Sequence, residues 1–356
     1  MNFSQEIINW YNLNKRDLPW RNTNDPYKIW LSEIILQQTK VDQGLPYYHK
    51  FCEKFPDIQS LANAKEEEIL KLWQGLGYYS RARNLHFASK QIINSYDSKF
   101  PSKHKDILSL KGVGEYTAAA IASFAYNLPY AVVDGNVFRL LSRFYGINTP
   151  INSSAGKKIF AELAQSILDK KRANINNQSI MEFGALMCKP KNPNCNECPL
   201  KDSCKAFLTN EIDNLPVKIK NRKQKHLYFE YLFITHQGET YLNKRIEKGI
   251  WQNLYEFPTV EFDQKESEDK VKETIENQSF LKNTNIEIVK STETQKHILS
   301  HRIIHGRLWH VESDSKLNHP KWTAVDLKSI NKYPMSRLME IFLESKFLIN
   351  DKKSYI

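Results

Sequence analysis

Four cysteines stand close together just past the middle of the chain, as Cys188-x6-Cys195-x2-Cys198-x5-Cys204. Four thiolates in so short a segment can reach one metal centre. Structural zinc more often uses two close Cys-x2-Cys pairs, and only Cys195/Cys198 is such a pair. A 4Fe–4S cube also takes four cysteine ligands and needs a longer loop to wrap it. The spacing favours one iron–sulfur cluster per chain, with zinc the alternative. Cys52, the fifth cysteine, lies on an apolar helix and is expected to pack as a small hydrophobe. Five cysteines in 356 residues are too few for a disulfide scaffold.

Two carboxylates offer a second chemistry. Glu33 sits in PYKIWLSEIILQQT beside Trp30, Ile34, Ile35 and Leu36, and apolar surroundings raise a carboxyl pKa. Asp134 lies in VVDGNVFR at a helix start, where it can equally serve as an N-cap. The spacing leaves open whether the two face each other. If they do, the pair suits glycosidic cleavage, one acid protonating the leaving group while the other carboxylate steadies an oxocarbenium ion.

A third signal is Leu110-Lys111-Gly112-Val113-Gly114-Glu115-Tyr116-Thr117. A helix runs in, two glycines turn, and the small-residue helix TAAAIASFAY runs out. Gly permits the tight turn, and the next helix N-terminus presents free N–H groups to an anion. This pattern is a helix-hairpin-helix, which grips a DNA phosphate without reading sequence; a plain helix–helix turn is the competing reading.

These residues need elements to hold them, and residues 1–209 read as helices. Asp25-Pro26 opens one, with Pro where its missing N–H costs nothing. Ser80 is expected to cap SRARNLHFASKQIINS, and Ser153 a helix running to about Asp169. Residues 210–225 read as a basic linker. Residues 226–356 then alternate: HLYFEYLFITHQGETYLNKR turns at Gly238 like a β-hairpin. IEIVK, KHILSH and GRLWHV are further strands, and helices fit near 267–277 and 335–346. The expected architecture is mainly α: an all-helical core, then a smaller α+β domain.

The net charge of +11 belongs entirely to residues 1–225, since 226–356 balance to zero. A basic N-terminal part favours a polyanion such as nucleic acid, though lysine-rich codon usage would give the same excess. The N-terminus shows no apolar signal segment, and no apolar run reaches the ~20 residues of a membrane helix. A soluble cytoplasmic protein is expected.

The hairpin, the VDGNV turn and the cysteine loop together resemble the endonuclease III-like superfamily of DNA glycosylases. Within it the chain is similar to the adenine DNA glycosylase (MutY) family. The matching stretches are LPWR at 18–21, WLSEIILQQT at 30–39, GLGYYSRARNL at 75–85, GVGEYTAAAI at 112–121, VDGNV at 133–137 and YLNKRIEKGIWQNLYEFP at 241–258. The last is similar to the family's Nudix-like domain. The resemblance implies a helix-hairpin-helix glycosylase core with a 4Fe–4S loop, joined to a Nudix-like recognition domain. It implies a monomer acting on double-stranded DNA that carries adenine opposite 8-oxoguanine or guanine, near the nucleoid.

It also implies roles. Glu33 matches the general acid and Asp134 the carboxylate that stabilises the cationic sugar. Tyr116 and Asn136 match residues that orient them. Trp20, Arg21 and Leu36 match the adenine pocket, and Gln178 the amide contact to the base edge. Gln38 and Tyr78 match side chains inserted beside the opposite base, with Gln37 near the opposite strand. Lys111, Gly112, Val113 and Gly114 form the phosphate-binding hairpin. Arg81 and Arg83 are expected at phosphates, a solvated basic face being the other reading. Glycosylase/lyases of the superfamily carry a lysine nucleophile where this chain has Tyr116, so no Schiff base is expected. Leu299-Ser300-His301 occupies the place of a Phe-Ser-His triplet that recognises 8-oxoguanine. Leu299 departs from the aromatic, and Phe138 from the lysine of some relatives. No G-x5-E-x7-R-E-x2-E-E-x-G box is present, which disfavours pyrophosphate hydrolysis. A glycosylase/lyase and a non-catalytic damage binder remain as alternatives, separated by borohydride trapping and by base release.

Overall fold

The computed structural model describes residues 3–219, 224–281 and 284–345. Part of the basic linker (220–223) and the end of the final helix (346) lie outside the described residues. The chain forms two compact units, Met1–Asn63 with Asn84–Asn221, and Ala64–Arg83 with Arg222–Ile356.

The helices in chain order are α1 (Phe3–Asn14), α2 (Pro26–Leu36), α3 (Val41–Lys54), α4 (Ile58–Asn63), α5 (Glu66–Trp73), α6 (Ser80–Ser95), α7 (His104–Leu108), α8 (Glu115–Tyr126), α9 (Gly135–Tyr145), α10 (Ser154–Ser166), α11 (Ala173–Leu186) and α12 (Lys205–Leu208). No strand occurs among the described residues before Lys225. The Asp25 carboxylate caps α2, accepting from the Tyr27 amide at 2.9 Å, with Pro26 at the first helical position. Ser153 Oγ caps α10 by accepting from Gly156 N. Three boundary expectations need correction. Ser80 is the first residue inside α6 rather than its cap. Helix α2 stops at Leu36, because Gln37 leaves helical geometry with ψ 113° and Gln38 follows with a positive φ of 55°. Helix α10 ends at Ser166, and Asp169 instead caps the 3-10 turn Lys170–Arg172.

Helix α2 is buried nearly all round, as a central helix must be. The apolar faces of α1, α9, α10 and α11 close a second layer through Ile7, Leu140, Leu141, Phe160, Ile180 and Phe183. Gly184 lets α11 approach α9: a Cβ there would meet Asn136 Cβ and O at 2.8 Å. In the hairpin Gly112 has φ +80°, and a Cβ would fall 2.6 Å from Asn84 Cβ, so both the turn and the packing require glycine.

In the second unit a sheet is built on two long strands, β1 (Lys225–His236) and β7 (Arg302–Ser313), which pair in parallel from Lys225/Arg302 to Thr235/Glu312. Strand β2 (Glu239–Lys244) returns antiparallel beside β1 after Gln237-Gly238. The remaining strands are β3 (Tyr255–Glu256), β4 (Thr259–Phe262), β5 (Ile286–Ser291), β6 (Gln295–Ile298) and β8 (Trp322–Asp326). The order is β3-β2-β1-β7-β5, with β4 on β1, β6 on β7 and β8 on β2. Alternation along β1 sends Leu232 and Ile234 toward α13 (Glu268–Glu276), where Val271 and Ile275 meet them, and Tyr231 to the opposite face against Phe342 of α14 (Arg337–Glu344), the period of two expected of a strand. Segment Ala64–Arg83 packs in this unit. Glu67 of α5 accepts from Lys244 Nζ at 2.7 Å and Tyr255 Oη at 2.8 Å, Gln74 Nε2 donates to Glu340 at 2.6 Å, and Tyr79 Oη donates to the Met335 carbonyl at 3.0 Å.

Candidate active site and cysteine loop

A cavity of about 520 Å³ opens in the first unit, within the ~300–1,000 Å³ of small-ligand sites. Its lining includes Glu33, Asp134, Tyr116, Asn136, Trp20, Arg21, Leu36, Gln178, Gln37 and Gln38. Residues from five separate stretches of sequence thus share one wall.

Glu33 is buried on α2. Burial pushes its carboxyl up to about 7, against the Tyr116 hydroxyl, which donates to Oε2 at 2.8 Å; the nearby Asp134 charge pushes it further up. A carboxyl poised there can hold or release a proton at neutral pH.

Asp134 is both a cap and a cavity residue. Its Oδ1 accepts from the Asn136 and Val137 amides at 2.9 and 2.8 Å, and Oδ2 accepts from Asn136 Nδ2 at 2.7 Å. Burial raises its pKa, while these donors and Arg139 pull it down. The capping geometry is what aims the carboxylate, so the two sequence readings describe one arrangement.

Behind Asp134 runs a relay. Asn136 Oδ1 accepts from Arg139 Nη2 at 2.8 Å, and Arg139 also donates to the carbonyls of Gly184 at 2.6 Å and Cys188 at 2.7 Å. The carboxylate is therefore tied to the first cysteine of the loop.

Two residues that the sequence did not single out complete the wall, Arg16 and Glu182. Burial would raise the Glu182 carboxyl, but bidentate hydrogen bonds from Arg16 and Arg21 prevail and hold it down at about 2. Arg21 is thereby fixed in place before any ligand arrives. An Arg-x4-Arg pair is visible in sequence; its acidic partner on α11 is too distant to be.

The hairpin residues Lys111 to Gly114 lie outside this wall. Lys111 is exposed, its amide donating to Gln91 Oε1 at 3.1 Å. Phe138 lines the cavity.

The remaining candidates belong to the second unit. Leu299-Ser300-His301 forms the turn between β6 and β7, with Leu299 N donating to Arg302 O at 2.8 Å. Ser300 and His301 are exposed, and the Ser300 and Tyr78 hydroxyls hydrogen-bond. Tyr78 itself has φ +46°, a strained conformation for an aromatic. Arg81 corrects an expectation. It is buried, stacked 5.1 Å from the Trp73 ring centroid, and its Nη2 donates to the carbonyls of Leu76 and Gly77. Desolvation lowers its pKa to about 10. It braces the 75–78 turn instead of meeting phosphate. Arg83 is likewise committed, donating to Gln252 O at 2.8 Å.

The four loop cysteines line a smaller cavity of about 30 Å³, and all are free thiols. Among the described residues no three His, Cys, Asp or Glu side chains are grouped to hold a single metal ion. The donor set fits a cluster: four sulfurs around one cavity, with Arg143 Nη1 donating to Cys188 Sγ at 3.5 Å. Burial and mutual repulsion push Cys198 up to about 11, the behaviour of thiols gathered for a cation that would deprotonate them. When bound, an iron–sulfur cluster supplies a covalent staple and an electron-transfer centre.

Residues 31–166 match the HhH-GPD superfamily of base excision DNA repair proteins, 188–204 the iron-sulfur binding domain of endonuclease III, and 230–345 the NUDIX domain. Among solved structures, a thermostable thymine-DNA glycosylase is 32% identical, with a TM-score of 0.54 over 58% of this chain and 95% of its own. Endonuclease III in a non-covalent DNA complex, at 21% identity and a TM-score of 0.51 over 58% of this chain and 94% of its own, shares the fold. Fold and site thus define a helix-hairpin-helix base-excision protein carrying an iron–sulfur loop and a Nudix-like domain. The adenine DNA glycosylase of Buchnera aphidicola subsp. Schizaphis graminum is 36% identical over 96% of this chain and 98% of its own. That of Buchnera aphidicola subsp. Baizongia pistaciae is 42% identical over 72% and 73%, and the human one 39% over 60% and 41%. The chain belongs to the adenine DNA glycosylase family.

Proposed function

We propose that this protein is a monofunctional glycosylase that hydrolyses the N-glycosidic bond of adenine opposite 8-oxoguanine or guanine in double-stranded DNA. The observation that carries the reading is the shared cavity of Glu33 and Asp134, one carboxyl poised near neutrality and the other locked by three donors.

The adenine is first turned out of the stack into the cavity, at a cost of a few kcal/mol. The protonated Glu33 gives its proton to N7. The C1′–N9 bond then breaks, its electron pair passing to the adenine ring, while the Asp134 carboxylate faces the oxocarbenium ion. Water adds to C1′ and loses a proton to the Glu33 carboxylate, which restores the acid. Tyr116 holds Glu33 by its hydroxyl and carries no amine, so the sugar is not captured as a Schiff base. Two glycine amides and Lys111 of the hairpin serve a backbone phosphate. Cys188, Cys195, Cys198 and Cys204 would hold one 4Fe–4S cluster, and Ser300 and His301 would meet the 8-oxoguanine edge. The protein acts as a monomer.

The test is a duplex carrying adenine opposite 8-oxoguanine, treated with the protein and then with hot alkali. Strand breaks at the adenine are expected from the wild type and not from Glu33→Gln, with no borohydride-trapped adduct. Absence of breaks with the wild type overturns the reading.

A further inference from the structure

A chain of a backbone carbonyl, two side-chain amides and a phenol runs behind the cavity wall, and its polarity is set at one end by a group that cannot reverse. Phe124 lies in the last turn of α8, where carbonyls lack helical partners. Its carbonyl accepts from Asn174 Nδ2 at 3.2 Å. A carbonyl only accepts, so Asn174 must turn its NH₂ to Phe124 and its Oδ1 away. Asn174 Oδ1 in turn accepts from Gln178 Nε2 at 2.6 Å, one turn further along α11. That orients the Gln178 amide, whose Oε1 accepts from Tyr11 Oη at 3.0 Å. Tyr11 is 3% exposed, and burial raises its pKa, so it remains a donor. Gln178 lines the cavity. Neither Asn174 nor Tyr11 does.

We infer that Asn174 and Tyr11 are positioning residues which lock the Gln178 amide in one orientation and so make the cavity select a 6-amino purine over a 6-oxo purine. This rests on the reading of the cavity as an adenine site. Gln178 retains one N–H on Nε2 and one lone pair on Oε1 for a ligand. Adenine matches that order on either edge, with the N6 amino group donating beside N1 or N7 as acceptor. A 6-oxo purine reverses both groups on its N1 edge and offers two acceptors on its N7 edge. A freely turning amide would serve either base, whereas an amide that cannot turn leaves the 6-oxo purine with opposed groups. The fixed carbonyl of Phe124 thus dictates which base edge the cavity accepts.

The experiment compares single-turnover release of adenine and of hypoxanthine, each opposite 8-oxoguanine, by the full-length protein. Wild type should favour adenine. Asn174→Leu leaves only the Tyr11 hydroxyl, which can accept as well as donate and so no longer fixes the amide; the adenine-to-hypoxanthine ratio should fall about tenfold, the worth of one misdirected hydrogen bond. Asn174→Asp keeps an acceptor toward Gln178 Nε2 while losing the donor to Phe124, so it should retain the wild-type ratio. Tyr11→Phe should lower the ratio about threefold, because Asn174 still holds the amide. A role confined to folding would slow both bases together and would make Asp as harmful as Leu. The inference is overturned if Asn174→Leu keeps the wild-type ratio, or if Asp and Leu lower it equally. Failure of the wild type to release adenine at all would instead overturn the cavity reading itself.

Discussion

In the cavity of the first unit the polar groups already have partners: Glu33 has Tyr116, Asp134 has two amides and Asn136, and Glu182 has two guanidiniums. In the β6–β7 turn of the second unit the backbone is held, and the one bond made by the turn's own side chains among the described residues is that between the Ser300 and Tyr78 hydroxyls. Leu299 N bonds Arg302 O, Gln224 bonds Leu299 O at 2.7 Å, and Lys225 N bonds His301 O at 3.1 Å, while the Ser300 and His301 side chains stand exposed. The contrast separates two demands. Charge that develops during a reaction is best met by groups fixed in advance, since no reorganisation is then needed. Recognition of a ligand's edge needs only a frame and donors or acceptors at its tip. The comparison predicts large losses for changes in the cavity and small ones for changes in the turn.

The largest expected effect is that of Glu33→Gln, which removes the proton donor and keeps the shape. Single-turnover release of adenine should fall about 10²–10⁴-fold. The same substitution should stabilise the fold. Below pH 4.5 the carboxyl is neutral folded or unfolded. As pH rises toward about 7 the unfolded chain loses its proton first, and stability drains away. Glutamine does not titrate, so the variant should gain about 1–3 kcal/mol over wild type at pH 8 and much less at pH 4. Denaturant unfolding at the two pH values measures it. Equal stability of the two proteins at pH 8 would contradict the buried-acid assignment.

Next comes the pH profile. The acid form is required, so release should fall about tenfold per pH unit above about 7. Tyr116→Phe removes a hydrogen bond that favours the charged carboxylate. Its falling limb should therefore move to higher pH, even as its maximal rate drops. A limb that stays in place would show that Glu33 is not the titrating group.

How these groups meet was only partly legible in the sequence. Local signals carried well: Asp25-Pro26 marks the start of α2, Gly238 the hairpin between β1 and β2, and the cysteine spacing a loop that could close on one centre. Each is decided within a few residues by caps, turns or covalent reach. Glu182 was not legible, because its meaning comes from Arg16 and Arg21, whole helices away. Arg81 misled for the same reason. A basic residue near a helix start looks solvent-facing until Trp73 and two carbonyls are known to enclose it. The parallel pairing of β1 with β7 spans some seventy intervening residues and leaves no local trace. Asp134 offered two readings only because spacing could not show that the cap faces the cavity.

A smaller loss is expected from Arg139→Leu. Asn136 would lose the donor that holds its side chain, and the Cys188 carbonyl its link to α9. Asp134 would keep its two amide bonds, so release should slow about 10–100-fold, with the rate of abasic-site formation as readout. A loss as deep as that of Glu33→Gln would show that the backbone cap alone does not position Asp134.

Ser300→Ala should have the least effect, and it probes the other side of the comparison. The hydroxyl is exposed and bonds to Tyr78, so its removal leaves the turn's backbone bonds intact and creates no cavity. On the proposed function it would also remove one hydrogen bond to the opposite base, worth about 0.5–1.5 kcal/mol. The rate opposite 8-oxoguanine should drop about three- to tenfold, while the rate opposite guanine stays near wild type, so the ratio of the two rates is the informative number. Tyr78→Phe separates the alternatives. It breaks the same hydroxyl pair but leaves Ser300 free to face the base. If Ser300 acts on the base directly, Tyr78→Phe should keep more of the 8-oxoguanine preference than Ser300→Ala does. If the two substitutions erase it equally, the exposed turn depends on Tyr78 for its orientation and is as fixed in advance as the cavity.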